Sequence, residues 1–593
     1  MKFKIQNSKF KIKEKLDIER LIKILLANRG IQTKKEIEEF LSPKLSNITI
    51  QSVGIKRPQL KKAISRIKKA IRNKEQIVVF GDYDVDGICG TAILWETLNT
   101  LGAKVMPYIP HRVDEGYGLS VTGIENVILN LFQDPKHESK EMLKQVQHDK
   151  KRGLIITVDN GIVANKAVDF AKEKNIDVII TDHHVASTNL PEACAIVHTT
   201  KLCGTGVAWA LAQELKTQNS KLKTKEEDRH LELVALATVA DLVPLKGANR
   251  TLLKFGLEAL KKTKRIGLSE LFKEAGLEKS SIGVYEIGHI IAPRLNAMGR
   301  LEYAMDSLRL ICTNNQKRAE KLARLLGSTN RQRQDLTLQT VLHAIKKIKN
   351  QKSKIKSLLF VSHETYQQGV IGLVAGKMVE EFYKPAIVVS RGKKISKGSA
   401  RSVSGFNIIE FIRKHSSLLI DTGGHPMAAG FTVETTKLLE LQKALEDRAE
   451  KLLSQDMLTR SLKIDLEIPL SALDLKIYQE IQELSPFGIG NPEPVFISKN
   501  VVVEDMKLVG AEGKHLKIKL ACHPEASAEG SRKILRSAQN NKRIIGGIGF
   551  GIGEKAKEFH IGDKVDIAYV ISQDEWNGNK KLQLKIRDLQ RTL

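Results

Sequence analysis

The chain predicts a multidomain α/β protein: a doubly wound parallel-sheet core, a helical connector, a second α/β domain and a C-terminal β-barrel of the OB type. Three observations carry that prediction. Apolar strand-like runs alternate with helix-like segments between residues 77 and 215. The stretch 251–349 reads as mostly helical. From about residue 461 the pattern changes to short strands punctuated by glycine turns. At 593 residues the chain also exceeds what one hydrophobic core accommodates.

Residues 1–75 read as a basic, helical segment. Within it Leu60, Ala63, Ile64, Ile67, Ala70 and Ile71 share one helical face, with lysines and arginines opposite. Residues 76–250 form the core, with buried strands at 77–80, 105–109, 154–158, 178–181 and 195–197. Helices at 88–101, 164–173 and 206–215 lie between them. The connector spans 251–350. The second α/β domain spans 351–455, with strands at 358–361 and 386–390, a helix at 370–382, and a tight turn at Gly423, Gly424 and Gly430. The barrel spans 456–593, with strands at 461–468, 501–509, 515–520, 544–550, 564–571 and 581–587. Polar segments at about 132–152 and 521–542 interrupt this pattern and read as insertions. So does 218–225, which nearly copies 6–13.

Lysine and arginine number 96 against 68 aspartates and glutamates, a formal charge of +28 that favours a polyanionic partner such as nucleic acid. The five cysteines never form C-x-x-C, which argues against a disulfide framework or zinc knuckle and for a reducing cytoplasm. No stretch of about 20 apolar residues is present, so no membrane span is expected.

The chemistry gathers where apolar runs end. Residues 77–80 lead into Asp82, Asp84 and Asp86; 154–158 into Asp159; 178–181 into Asp182, His183 and His184; 234–240 into Asp241. Four apolar segments ending in acids predict a metal site at one edge of a sheet, where open α/β sheets bind ligands. A calcium loop of EF-hand type requires Glu at its twelfth position, and counting from Asp82 that position holds Ile93. Helix capping explains any single acid, Asp159 for example, but not the set with its histidine pair. Carboxylates with histidine as sole nitrogen donor suit Mn²⁺ or Mg²⁺ better than Zn²⁺. The set is large enough for two ions about 3.5–4 Å apart sharing a carboxylate, the arrangement that drives phosphoester hydrolysis.

These residues resemble the motifs of the DHH phosphoesterase family: G-D-Y-D-V-D-G (81–87), T-V-D-N-G (157–161), T-D-H-H (181–184) and A-D-L-V-P-L (240–245). Further motifs extend the resemblance over nearly the whole chain, toward the branch of single-strand-specific 5′→3′ DNA exonucleases. They are P-H-R-V-D-E-G-Y-G-L (110–119), L-C-G-T-G-V-A (202–208), I-A-P-R-L-N-A-M-G-R (291–300), Q-G-V-I-G-L-V-A (368–375), K-G-S-A-R-S (397–402), G-G-H-P-M-A-A-G-F (423–431) and P-F-G-I-G-N-P-E-P (486–494).

The resemblance implies that Asp82, Asp84, Asp86, Asp159, His183 and Asp241 hold two divalent cations, Mn²⁺ or Mg²⁺, leaving open which of the first three bind directly. It implies that His184 faces the scissile phosphate, that Asp182 orients the histidine pair, and that Asp159 belongs to the catalytic set. Arg112, Arg294, Asn296, Arg300, Ser399, Arg401, Gly424 and His425 match motifs lining the path of the DNA and its 5′ end. Phe487, Phe496 and Trp576 are the barrel's candidate stacking residues, with core packing the competing role for the phenylalanines. The implied activity is release of 5′-mononucleotides from single-stranded DNA in repair and recombination, with a helicase and a single-strand-binding protein as candidate partners. A hydrolase of short oligonucleotides and a non-catalytic nucleic-acid scaffold are the competing readings. Chain length and barrel argue against the first, and the intact acids against the second. Tyr366-Gln367 stand where the family usually has Trp-His.

Overall fold

The computed structural model describes residues 2–6, 17–112, 114–116, 118–132, 153–217, 230–350, 357–522, 543–574 and 580–592. Nearly all of the expected insertions at 132–152 and 521–542, the 218–225 copy of 6–13, and Trp576 lie outside the described residues. The chain forms two compact units: residues 1–43 with 459–593, and residues 44–458.

The expected segment 1–75 is therefore divided. Lys2–Ile5 pairs in parallel with Ser461–Ile464. Helix Ile18–Asn28 buries Leu21, Leu25 and Leu26 in the same core as the barrel's Phe496 and Tyr569. Helix Arg57–Arg72 instead buries Leu60, Ala63, Ile64 and Ile67 in the core of the other unit. An amphipathic stripe says that a helix covers something, not which sheet it covers.

The first sheet of residues 44–458 is fully parallel, in the order Val105–Tyr108, Ile77–Phe80, Gly153–Val158, Ile176–Asp182, Ala195–His198. Its central strands are apolar throughout because both faces are covered. Ile77, Val79, Leu154 and Ile156 enter one core, and Val78, Phe80, Ile155 and Ile180 the other. The fourth apolar run departs from expectation. Leu231–Ala240 is a helix, so Asp241 caps a helix C-terminus and does not end a strand. Buried on all sides, that helix shows no amphipathic period to distinguish it from a strand.

Helices including Ala292–Leu301 and the 34-residue Gln316–Lys349 make the connector. The second sheet runs Asp421–His425, Ala428–Glu434, Ile395–Arg401, Ala386–Ser390, Leu359–His363, with only the last pair parallel. The glycines expected in a turn are strand residues: Gly423 pairs with Gly430 and Gly424 with Ala429 across a hairpin. Gly424 has φ +141°, and a Cβ there would lie 2.3 Å from the Ala428 carbonyl oxygen, so hairpin closure itself requires glycine.

In the other unit Phe496–Val509, His515–Cys522, Arg543–Gly549, Lys581–Arg591 and Lys564–Asp574 pair in sequence, and the last closes onto the first, giving a five-stranded barrel. Among the described residues no helix is long and apolar enough to cross a membrane.

Candidate metal centre

Strands Ile77–Phe80 and Gly153–Val158 are neighbours, and the chain leaves them toward opposite edges of the sheet. That reversal opens a crevice at their carboxyl ends. Asp82 and Asp159 occupy it, both buried. Asp159 has φ +63°, a left-handed conformation that an L-residue adopts at a cost of about 1–2 kcal/mol. Gly204 packs against it so closely that a Cβ would meet the Asp159 Cβ at 2.6 Å.

The three acids of the first motif have different partners. Asp84 caps helix Val85–Thr100, its Oδ1 accepting from the Asp86 and Gly87 N–H groups at 2.9 and 3.1 Å. Asp86 accepts from Gly204 N–H through Oδ2 and from Thr205 N–H through Oδ1, both at 2.7 Å, at the start of helix Gly204–Thr217. Asp82 Oδ1 is buried without a hydrogen-bond partner. Asn296 of the connector accepts the Val85 N–H at 2.9 Å and so holds this turn from behind.

His183 Nε2 lies 3.1 Å from Asp159 Oδ1, 3.6 Å from Asp241 Oδ2 and 3.7 Å from Asp86 Oδ2. Four atoms (Asp82 Oδ1, Asp159 Oδ1, His183 Nε2, Asp241 Oδ2) are buried with no hydrogen-bond partner among the described residues. Asp241 also sits at the negative end of its helix, where a carboxylate is unfavourable without a cation. Three clusters of donor atoms, each within 4.8 Å, can hold ions: Asp82–Asp84–Asp159, Asp86–His183–Asp241 and Asp159–His183–His184. Asp159 is common to two of them, which suits a carboxylate shared between ions.

The electrostatics match. Burial and mutual repulsion raise Asp82, Asp84 and Asp159 above the usual carboxylate range, and push Asp241 up to about 9. Burial lowers His183, keeping it the neutral imidazole that ligates metals. Such a set is satisfied by divalent cations.

Asp182 Oδ1 accepts from His183 N–H at 2.7 Å and lies 2.8 Å from His184 Nδ1, while Oδ2 accepts the Ile162 N–H at 2.9 Å. Burial opposes ionisation of Asp182, but the His184 bond prevails and holds it low. Burial likewise opposes the charged form of His184, and Asp182 reverses this to raise it. His425, at the tip of the hairpin, stacks with His184 at 6.2 Å between centroids and 22° between planes.

A group of arginines completes the site. Arg300 is lowered to about 10 by burial and by Arg112, Arg333 and Arg401. Arg112 lies over the Tyr83 ring at 5.0 Å. Arg300 donates to the Gly369 carbonyl at 3.2 Å. Ser399 Oγ and Arg401 Nη2 border Gly372, in the first turn of helix Ile371–Phe382. Arg294 stands apart, its Nε bonded to Glu274 at 2.8 Å in an ion pair that Arg331 shares. Arg333 was not singled out from sequence; it lies on the long connector helix, and only its place beside Arg300 marks it. In the barrel Phe496 is core and Phe487 packs against it, whereas Phe550 is 59% exposed with His515 edge-on at 5.3 Å.

Residues 76–238 match the DHH family, N-terminal domain; 353–451 match the DHHA1 domain; and 464–531 with 528–588 match the RecJ OB domain. The chain is 34% identical over 590 residues to the single-stranded-DNA-specific exonuclease RecJ of Bacillus subtilis, covering 97% of this chain and 68% of that protein. Crystal structures of Thermus thermophilus RecJ with Mn²⁺ and with Mg²⁺ superpose with TM-scores of 0.75 and 0.70 at 26% identity. Each covers 96% of this chain, and 76% and 74% of the respective relatives. With three domain matches in order and this near full-length identity, the chain belongs to the RecJ family.

Proposed function

We propose that the chain hydrolyses single-stranded DNA from its 5′ end to 5′-mononucleotides. It is a metal-dependent, single-stranded-DNA-specific exonuclease with two divalent cations, Mn²⁺ or Mg²⁺, as cofactors. The observation that carries this reading is the convergence of four buried, unbonded ligand atoms from Asp82, Asp159, His183 and Asp241.

When bound, the cations supply Lewis-acid polarisation of the phosphodiester and an activated water. Asp82, Asp84, Asp86, Asp159, His183 and Asp241 would hold them. His184, whose proton affinity Asp182 raises, donates a hydrogen bond or proton to a phosphate oxygen. His425 faces the same space from the hairpin. Arg112, Arg300, Arg333 and Arg401, with Ser399 at a helix N-terminus, anchor the 5′-phosphate. Arg294 and Asn296 act one step back, supporting the connector and the Asp82–Asp86 turn. The barrel binds the strand farther from its end by charge and stacking. A helicase that opens duplex and a single-strand-binding protein are the proposed partners, in cytoplasmic DNA repair and recombination.

Single-stranded DNA labelled separately at each end, incubated with Mn²⁺, Mg²⁺ or chelator beside a blunt duplex, tests the reading. Immediate, metal-dependent mononucleotide release from the 5′ label alone is expected. Binding without cleavage under every metal overturns it.

A further inference from the structure

One cleft of the 44–458 unit shares no residue with the metal centre or the arginine group. Its volume is about 360 Å³ and it is lined by His343, Lys346, Lys347 and Asn350. These stand at i, i+3, i+4 and i+7 along the end of helix Gln316–Lys349 and its cap, and so share one face. Against that face lie His363, which ends the edge strand, and Tyr366. The His343 and His363 rings meet edge-on with centroids 4.8 Å apart.

The cluster is held in place. Tyr366 is buried, and its hydroxyl lies 2.9 Å from His343 Nδ1. Thr365 Oγ1 lies 2.9 Å from His363 Nδ1. With each Nδ1 engaged, Nε2 is the second ring nitrogen of both imidazoles. Lys347 Nζ donates to the Ser362 carbonyl at 2.8 Å, which uses one of its three N–H groups. Besides burial, the groups acting on His343 are all basic: His363, Lys347 and Lys346. Two ammonium groups beside two fixed imidazoles disfavour a cation and favour an anion. The same helix carries Arg333, about 21 Å before Lys347 and within roughly 40° of it around the axis.

We propose that this cleft is a second phosphate-binding subsite, taking the phosphate of a nucleotide carried either by the DNA strand or by the mononucleotide that cleavage releases. The assignment rests on the exonuclease reading for the identity of the phosphate, but its binding chemistry can be tested independently.

The full chain with Mn²⁺ is titrated with inorganic phosphate, deoxyadenosine 5′-monophosphate and, with chelator in place of Mn²⁺, a 20-nucleotide oligothymidylate. The comparison uses His343→Ala, Lys346→Glu and, as a charge control on the same helix outside the cleft, Lys349→Glu. Lys346 is exposed, so its variant leaves the core untouched. Expected is at least about fivefold weaker binding of one probe in both cleft variants, with the control near wild type. Loss confined to the oligonucleotide assigns the subsite to the strand, and loss of phosphate or monophosphate assigns it to the product. Wild-type binding of all three probes by both cleft variants overturns the proposal, as does an equal loss in the control. Cleavage of a short oligonucleotide is measured in parallel. Its absence from the wild type would sink the exonuclease reading alone and leave the binding result standing.

Discussion

Asp182 Oδ1 lies 2.8 Å from His184 Nδ1, and the same oxygen accepts the backbone N–H groups of His183 and His184. One carboxylate thereby sets the orientation of a histidine pair whose proton affinities diverge: burial lowers that of His183, whereas Asp182 raises that of His184. Asp182→Asn preserves an acceptor but removes the charge. It should lower kcat about 10–100-fold with little change in metal affinity. His184→Ala should cost about 10²–10⁴-fold. The double variant should resemble His184→Ala, because Asp182 acts through His184. Full additivity in a double-mutant cycle would refute the coupling.

Asp159→Ala should abolish cleavage while leaving single-strand binding largely intact. In the wild type, Mn²⁺ at about 100 times its dissociation constant should stabilise the fold over chelated protein by about 2.7 kcal/mol for each ion bound. The variant should lose most of that increment. Thermal unfolding with and without chelator reads both, and metal-dependent activity retained by the variant would contradict the site assignment.

Gly204→Ala places a methyl group 2.6 Å from Asp159 Cβ and next to an N–H that Asp86 accepts. Overpacking of this kind costs about 1–3 kcal/mol. The expected signature is a shifted metal midpoint with near-normal oligonucleotide affinity. Equal losses of both would point to general destabilisation.

Away from the site, Glu96 accepts a fork from Arg265 at 2.7 and 2.9 Å and meets His230 Nε2 at 2.9 Å, while Arg265 also donates to Glu232. Burial opposes the charge on Glu96, but Arg265 and His230 outweigh it and depress its pKa. A depressed carboxyl contributes stability above its unfolded value, about 4.3, and loses it as pH falls toward the folded value. His230 is lowered by burial, so the unfolded chain gains a proton first below about pH 6.5 and stability falls there too. The Glu96–His230 pair therefore contributes two successive losses of stability on acidification, read as the difference in thermal midpoint between wild type and variants of the pair. Glu96→Gln should cost about 3–5 kcal/mol at neutral pH and flatten the lower stage. An unchanged acid limb in that variant would exclude Glu96 as its source.

Phe550 presents an exposed ring on the barrel, braced by His515. Phe550→Ala should weaken binding of long single strands by about 1–3 kcal/mol and spare cleavage of short oligonucleotides. Unchanged affinity for a long strand would remove Phe550 from the DNA path.

Much of this was legible in the chain because its signals are local. Short apolar runs ending in acids located the parallel sheet, and the T-D-H-H run put His183 and His184 beside Asp182. The helix Leu231–Ala240 misled because a segment buried on every side carries no period. The hairpin glycines misled because glycine marks close approach as well as turns, and Gly424 is needed by its cross-strand neighbours.

By itself the sequence determined the fold class and the acidic character of the sheet edge, since both follow from residue type at short spacing. Only the tertiary structure decided what each polar group does there. Asp86 accepts from Gly204 and Thr205, well over a hundred residues later, while Asp82 and Asp159 each keep a buried oxygen with no hydrogen-bond partner among the described residues. Arg294 is paired with Glu274, whereas Arg333 is drawn into the cationic group around Arg300. Hydrogen-bond satisfaction and charge balance depend on partners brought together by packing, and no local pattern in the chain encodes them.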